Sequence, residues 1–334
     1  MENRSSYRSV CILYDCGNEG DELGNILSTH FLIGPVLKAL QAMFGDEMIF
    51  VGRKAIAEVI FSPVRFKKIV EMGVRIDSGV RRVDLQGILK EIQECDLIIC
   101  LNTWIGGEGE NLKMLLEHLS PQWSIGFYDF FKEKLAFNPD MHFCDMMFQC
   151  VALMDPSAAI ADFVRGPEVP QRGREIVRQF VGTLKSEGGS ILVVAPHATC
   201  QRKEIAYSVY PEALKKVLDN FDNLSIIVLS SEFRWPYSDA YKDRIVIFDH
   251  FTTEVTWSFV AHADYFLGPE SDALHIADIY RIPSVGIFGK LSPVHFSGFR
   301  FAENYSLQSN DYAMQDITTE QISEALRQLI MKTL

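Results

Sequence analysis

The chain has 334 residues, 48% of them apolar and 23% charged, with a net charge of −12 at neutral pH. Single cores stop growing near ~250–300 residues, so this length predicts two domains. The acidic balance argues against a broad nucleic-acid surface, which requires clustered Lys and Arg, but leaves room for a small anion held by a few local donors.

In chain order, MENRSSYRSV shows no apolar stretch before a small-residue cleavage site, so no secretory leader is expected. SVCILYDCG (9–17) reads as a buried strand ending in glycine, and STHFLIGPVLKALQAMFG (28–45) as a helix through Leu37, Leu40 and Met43. EMIFVG (47–52), GVRID (73–77), CDLIICLN (95–102) and WSIGF (123–127) read as further strands. The helices expected among them are AIAEVI (from 55), LQGILKEIQE (85–94) and GENLKMLLEHL (109–119). Continuous apolar strands alternating with amphipathic helices predict a parallel sheet covered on both faces. None of the apolar runs approaches the ~20 residues of a membrane span.

Between 155 and 175 the composition shifts to DPSAAIADFVRGPEVPQRG, which reads as an inter-domain connection. The alternation then restarts. EIVRQFVGTLKS reads as a helix, SILVVAPH (190–197) as a strand, YPEALKKVLDNF (210–221) as a helix and LSIIVLSS (224–231) as a strand. DRIVIFDH (243–250), DYFLGP (264–269) and PSVGIFG (283–289) follow as strands. TTEQISEALRQLIMKTL closes as an amphipathic helix with Thr318 or Thr319 as N-cap and Glu320 in its first turn. The expected division is 1–160 for the first domain, 161–175 for the linker, 176–315 for the second domain and 316–334 for the last helix.

Open parallel sheets bind ligands at the carboxyl ends of their strands, so polar clusters just after strands are the candidates. YDCGNEGDELGN (14–25) follows the first strand, with Gly17, Gly20 and Gly24 among Asp15, Glu19, Asp21 and Glu22. The glycines permit tight turns, and the acids suit general-base work on a hydroxyl better than phosphate cradling; a solvated acidic loop would look the same. The spacing is not the dinucleotide fingerprint. APHATCQRKE (195–204) offers His197, Thr199, Arg202 and Lys203, hydroxyl and cationic donors suited to pyrophosphate or a charged loop face.

GPESDALHIADIYRIPSVGIFGKLSP (268–293) brings Glu270, Ser271, Asp272 and His275 to one strand end and Lys290 and Ser292 to the next. Ser271 or Asp272 reads as the N-cap of a helix whose first turn, with His275, suits an anion; plain capping residues and a packed interface histidine would look the same. The seven cysteines (11, 16, 95, 100, 144, 150 and 200) form no CxxC pair and read as reduced buried residues. D-x-D, H-E-x-x-H, G-x-S-x-G and G-x-x-x-x-G-K-[ST] are all absent, against a metal-bound nucleotide, a zinc or serine hydrolase and a P-loop ATPase.

Together these pieces resemble glycosyltransferase family nine, the lipopolysaccharide heptosyltransferases. The 268–293 stretch is similar to that family's Asp-(Thr/Ser)-Gly-x-x-His segment followed by a helix, Pro, an apolar strand and Phe-Gly-x-Thr-x-Pro. VVAPHATCQRKEIAYSVYPEALKKVL resembles its His-Ala-Thr-like loop, lysine and following helix, and Gly20-Asp21 with IGPVLKALQAMFGDEMIFVGRK its Gly-Asp and second strand. Glu270 stands where the family has Asp, Asp272 where it has Gly and Leu291 where Thr is common.

The resemblance implies an α/β chain of two facing Rossmann-like domains, the glycosyltransferase-B architecture. It implies an inverting, metal-independent transfer of a heptose or related sugar from a nucleoside-diphosphate sugar to an acceptor hydroxyl, with no cofactor. Asp21 would be the general base, in competition with Asp15, Glu19 and Glu22, with Gly20 and Glu22 in the acceptor-side loop. Lys203 and Thr199 would meet the donor phosphates beside His197, and Glu270, Ser271, Asp272, His275 and Lys290 would line the phosphate and sugar end. The expected partners are a nucleotide sugar and a glycan, lipid-linked or natural-product acceptor, with no nucleic acid, at a cytoplasmic location that is peripheral at the inner membrane only if the acceptor is lipid-linked. The two carboxylates at the anion site keep a catalytically degenerate binding protein in view, and a nucleotide-sugar epimerase or hydrolase fits the same architecture.

Overall fold

A computed structural model describes residues 7–14, 27–77, 80–102, 109–185, 189–197, 208–237, 241–249, 252–290, 297–311 and 314–334. The chain divides into two compact units, Met1–Glu168 and Val169–Leu334.

The first unit carries a six-stranded parallel sheet built from β1 (Val10–Tyr14), β2 (Met48–Gly52), β3 (Lys68–Glu71), β6 (Leu97–Cys100), β7 (Trp123–Gly126) and β8 (Glu133–Lys134). Their order is β3-β2-β1-β6-β7-β8. Val10, Ile12, Leu97 and Ile99 are fully buried, as are Cys11, Leu13, Ile98 and Cys100 beside them in the chain. Both faces of these strands are therefore covered, which is why their sequences are continuous apolar runs rather than alternating ones. Helices α3 (Leu85–Glu91) and α4 (Gly109–Leu119) cover the Cys11, Leu13, Ile98 and Cys100 face. Helix α1 (Leu27–Phe44) packs on α5 (Phe143–Met154), and α2 (Lys54–Val59) packs on β2 and β3.

The 73–77 run, expected in the main sheet, is instead β4 (Val74–Asp77), paired antiparallel with β5 (Val80–Val83) in a separate two-stranded ribbon. The third parallel strand is β3, an edge strand with only Val70 buried.

The second unit repeats the plan. Its sheet runs β11-β10-β9-β12-β13-β14, all parallel. The strands are β9 (Ser190–Val194), β10 (Leu224–Leu229), β11 (Ile245–Phe248), β12 (Tyr265–Pro269), β13 (Ser284–Phe288) and β14 (Asn304–Gln308). Leu192, Val194, Ile226, Val228, Leu267, Val285 and Ile287 form one core with α7 (Val209–Asn220) and the last helix, α10 (Thr319–Thr333). Ile191 and Val193 are buried as well, so the opposite face needs its own layer, formed by α6 (Gln171–Lys185), α8 (Thr253–Ala261) and α9 (Asp272–Ile279).

Helix α10 belongs to this unit. It starts with a capping box in which Thr318 Oγ1 accepts from Gln321 N at 3.2 Å and Thr318 N donates to Gln321 Oε1 at 2.8 Å. Cys11, Cys95, Cys100, Cys144 and Cys150 are buried thiols that form no disulfide among the described residues; Cys16 and Cys200 lie outside the described residues.

In each unit the order of the six parallel strands reverses direction about the first strand, at β1/β6 and at β9/β12. That is the doubly wound Rossmann order, and its switch point is where open α/β sheets bind ligands. At the β9/β12 switch point the backbones come close: a Cβ on Gly268 would lie 2.7 Å from the Ala195 carbonyl oxygen.

Candidate functional site

At the β9/β12 switch point four strand ends, in sheet order β10-β9-β12-β13, deliver polar groups along one edge. Past β9, Ala195 N still donates to Leu267 O at 3.0 Å, so the ladder carries the chain to His197. His197 Nε2 lies 3.1 Å from Ser230 Oγ, the first residue beyond β10 and 0% exposed. Ser230 Oγ also accepts from the backbone N–H groups of Glu232 and Phe233, both at 3.1 Å. With two N–H groups on its lone pairs, the hydroxyl has its proton left to give to His197 Nε2, which assigns the ring proton to Nδ1. Ser230 thus shapes the loop after β10 and ties it to the loop after β9.

Past β12, Glu270 N donates to Ile287 O at 3.0 Å and holds the half-buried Glu270 in register with β13. Ser271 is the N-cap of α9, with extended backbone (φ −162°, ψ 173°) and a carbonyl that accepts from Leu274 N and His275 N. Its side chain does not close back onto the helix, although serine is a strong capping residue. Ser271 is 7% exposed, and among the described residues its Oγ has no hydrogen-bond partner. A buried hydroxyl left open beside the first-turn N–H groups suits an anionic oxygen from a ligand.

Asp272, the first residue of α9, is half-buried. Its carboxylate favours the helix dipole, and it would also repel an incoming anion. His275 is 3% exposed, so it sits in the wall of the site rather than on its surface. Past β13, Gly289 is buried and Lys290 is exposed, with Lys290 N donating to Asp311 O at 3.2 Å. Gln308 Nε2, from β14, fixes this strand end by donating to Gly289 O at 2.7 Å.

His197, Glu270, Ser271, Asp272, His275 and Lys290 therefore all belong to the carboxyl ends of neighbouring strands. Gly20, Asp21, Glu22, Thr199 and Lys203 lie outside the described residues, as do Asp15, Glu19, Arg202 and Ser292. Among the described residues, no group of three or more His, Cys, Asp or Glu could hold a metal ion, and no helix is long and apolar enough to cross a membrane.

Three polar groups escaped the sequence reading. Ser230 was hidden at the end of an apolar strand; its signal is a serine directly after the run, two and three residues before the amides it caps. Asp278 is an acid inside the otherwise apolar ALHIADI helix, and it is fully buried. His30, on α1 in the first unit, is 1% exposed and lies edge-on to Tyr14 (ring centroids 5.4 Å apart) and stacked with Phe61. Burial, followed by the nearby Arg53 charge, pushes its pKa down to about 3, and among the described residues its Nδ1 has no hydrogen-bond partner.

No protein-family model matches the chain, and no curated protein does. Solved structures do match. A glycosyl transferase of family 9 from Veillonella parvula aligns over 99% of both chains with a TM-score of 0.70 and 14% identity. The ADP-heptose lipopolysaccharide heptosyltransferase II of E. coli aligns over 97% of this chain and 99% of its own, with a TM-score of 0.65 and 11% identity. A UDP-GlcNAc 2-epimerase from Methanocaldococcus jannaschii aligns over 96% of this chain and 92% of its own, with a TM-score of 0.52 and 11% identity. The fold is thus the two-domain α/β glycosyltransferase-B fold, as the sequence resemblance implies.

Proposed function

We propose that the chain is an inverting, metal-independent glycosyltransferase that moves a heptose or related sugar from a nucleoside-diphosphate sugar to an acceptor hydroxyl. The observation that carries this reading is the second unit's switch-point edge, where Ser271 leaves its hydroxyl open at the start of α9 beside His197 and Lys290 on adjoining strand ends. Such an edge suits a diphosphate, and the structural neighbours include a heptosyltransferase whose donor is ADP-heptose.

In this reading Asp21 accepts the proton of the acceptor hydroxyl as its oxygen attacks the anomeric carbon. The bond to the donor's phosphate oxygen breaks on the opposite face, so the anomeric configuration inverts. The electron pair leaves with the nucleoside diphosphate, whose charge meets Lys203, Thr199, His197, Lys290 and the first turn of α9. The serine hydroxyl and N–H groups supply stabilisation that needs no bound metal. Glu270, one residue before the cap, is suited to hydroxyls of the donor sugar, because a carboxylate accepts hydrogen bonds that a phosphate cannot give.

A second reading, a nucleotide-sugar epimerase, is favoured by the epimerase of the same fold. Product analysis separates the two. Incubation with a panel of nucleotide sugars and candidate acceptors yields a new glycoside for a transferase, and an isomerised donor with no acceptor requirement for an epimerase. If a nucleotide sugar binds but no panel member turns over, the chain is a binding protein on a transferase fold.

A further inference from the structure

Asp278 is an acid in the wrong place by every local criterion. It sits in the last turn of α9, where a negative charge opposes the helix dipole, and it is 0% exposed. Burying a carboxylate costs several kcal/mol unless hydrogen bonds replace its water. The replacement is three consecutive backbone amides: Arg300 N at 3.0 Å from Oδ1 and 3.1 Å from Oδ2, Phe301 N at 2.8 Å and Ala302 N at 2.9 Å from Oδ1.

Those amides belong to the chain entering β14, the strand beside β13. Just before them, Phe299 packs edge-on against Phe288 at the end of β13, with ring centroids 6.4 Å apart. Asp278 is one turn beyond His275 and joins α9 to this returning chain. Opposite it, α8 closes the other side of α9 through Trp257 Nε1, which donates to Tyr280 OH at 2.9 Å. No helix-stabilising role accounts for the carboxylate; what it holds does.

We infer that Asp278 is a positioning residue for the diphosphate end of the donor site, setting the first turn of α9 relative to Lys290 at the end of β13. The inference rests on the donor reading proposed above. Asn at this position has one acceptor oxygen and would turn an N–H donor towards the same amides, so it keeps the volume and loses the grip.

The test compares the wild-type protein with Asp278→Asn and with Asp264→Asn. Asp264 is a matched control, because its Oδ2 accepts from Ile191 N at 2.8 Å, a carboxylate–amide bond at the amino ends of β9 and β12. Affinities are measured for ADP, GDP and UDP and for the matching monophosphates. Asp278→Asn is expected to weaken the preferred diphosphate at least ~10-fold and the monophosphate less than ~2-fold, while Asp264→Asn changes neither. Equal losses for both nucleotides, or the same loss in Asp264→Asn, reduce Asp278 to a structural staple and overturn the inference. A wild-type protein that binds no nucleoside diphosphate sinks the donor reading itself, and this inference with it. Should Asp278→Asn fail to fold, hydrogen exchange in the wild type decides: saturating diphosphate must slow the amides of Arg300, Phe301 and Ala302, and unchanged exchange there rejects the coupling.

Discussion

His197 Nε2 and Ser230 Oγ meet at 3.1 Å, joining the loops that leave β9 and β10 at the switch-point edge. Ser230→Ala removes the hydrogen-bond acceptor for the amides of Glu232 and Phe233 as well as the His197 contact, leaving buried donors unsatisfied. A stability loss of about 1–3 kcal/mol is expected in chemical denaturation. Nucleoside-diphosphate affinity should fall with it. His197→Ala should weaken the same ligand with little stability loss; an unchanged affinity in both variants would detach this pair from the site.

Ser271→Ala isolates the open hydroxyl. Because the side chain does not cap α9, the variant should unfold at nearly the wild-type temperature, whereas loss of a working cap costs about 1 kcal/mol. Diphosphate binding should still drop several-fold. A clear stability loss with unchanged binding would make Ser271 an ordinary cap.

His30 makes the first unit acid-sensitive. Its folded pKa of about 3 lies below the ordinary 6.5, so the folded state prefers the neutral ring. Its contribution is complete above pH 6.5 and is lost progressively as pH falls towards 3, with a ceiling of ~5 kcal/mol. His30→Leu should flatten this acid limb in melts of the first unit. An identical slope in the variant between pH 6.5 and 4 would show that the ring titrates normally.

Asp278 works in the opposite direction. Burial raises its carboxyl to about 6 from 3.8, against the pull of the three amides and Arg300. The folded state therefore holds the proton more tightly, and the associated stability is full below pH 3.8 and lost as pH rises through 6. The melting-temperature gap between wild type and Asp278→Asn should narrow from pH 4 to pH 7. A gap that widens over that range would mean the amides dominate burial.

Much of this was legible in the chain because strands covered on both sides must be apolar throughout. SVCILY, DLIIC, SILVV and LSIIVL are short apolar runs rich in Val and Ile, and their alternation with helical stretches points to parallel sheets. The elements that escaped lack that signature. β3 is an edge strand with lysine at its start and one buried residue. Helix α5 is buried on most sides, with Cys144, Met146 and Phe148 covered as well as Phe143, Met147 and Cys150, so its apolar residues outline no single helical stripe. In the site, Glu270 to His275 were readable as a strand-to-helix junction. Ser230 and Asp278 were not, since their partners are backbone amides two to twenty-four residues away and no side-chain pattern encodes them.

The central claim is that the switch-point edge of the second unit grips the diphosphate of a nucleotide sugar for transfer. Its most direct measurement is product formation from ADP-, GDP- and UDP-sugars with an acceptor panel in the presence of a metal chelator, for the wild type and Asp21→Asn. The account predicts a glycoside of inverted anomeric configuration from the wild type and none from Asp21→Asn, with donor affinity preserved in the variant. A glycoside that retains the donor's configuration, or turnover that survives Asp21→Asn, would contradict it.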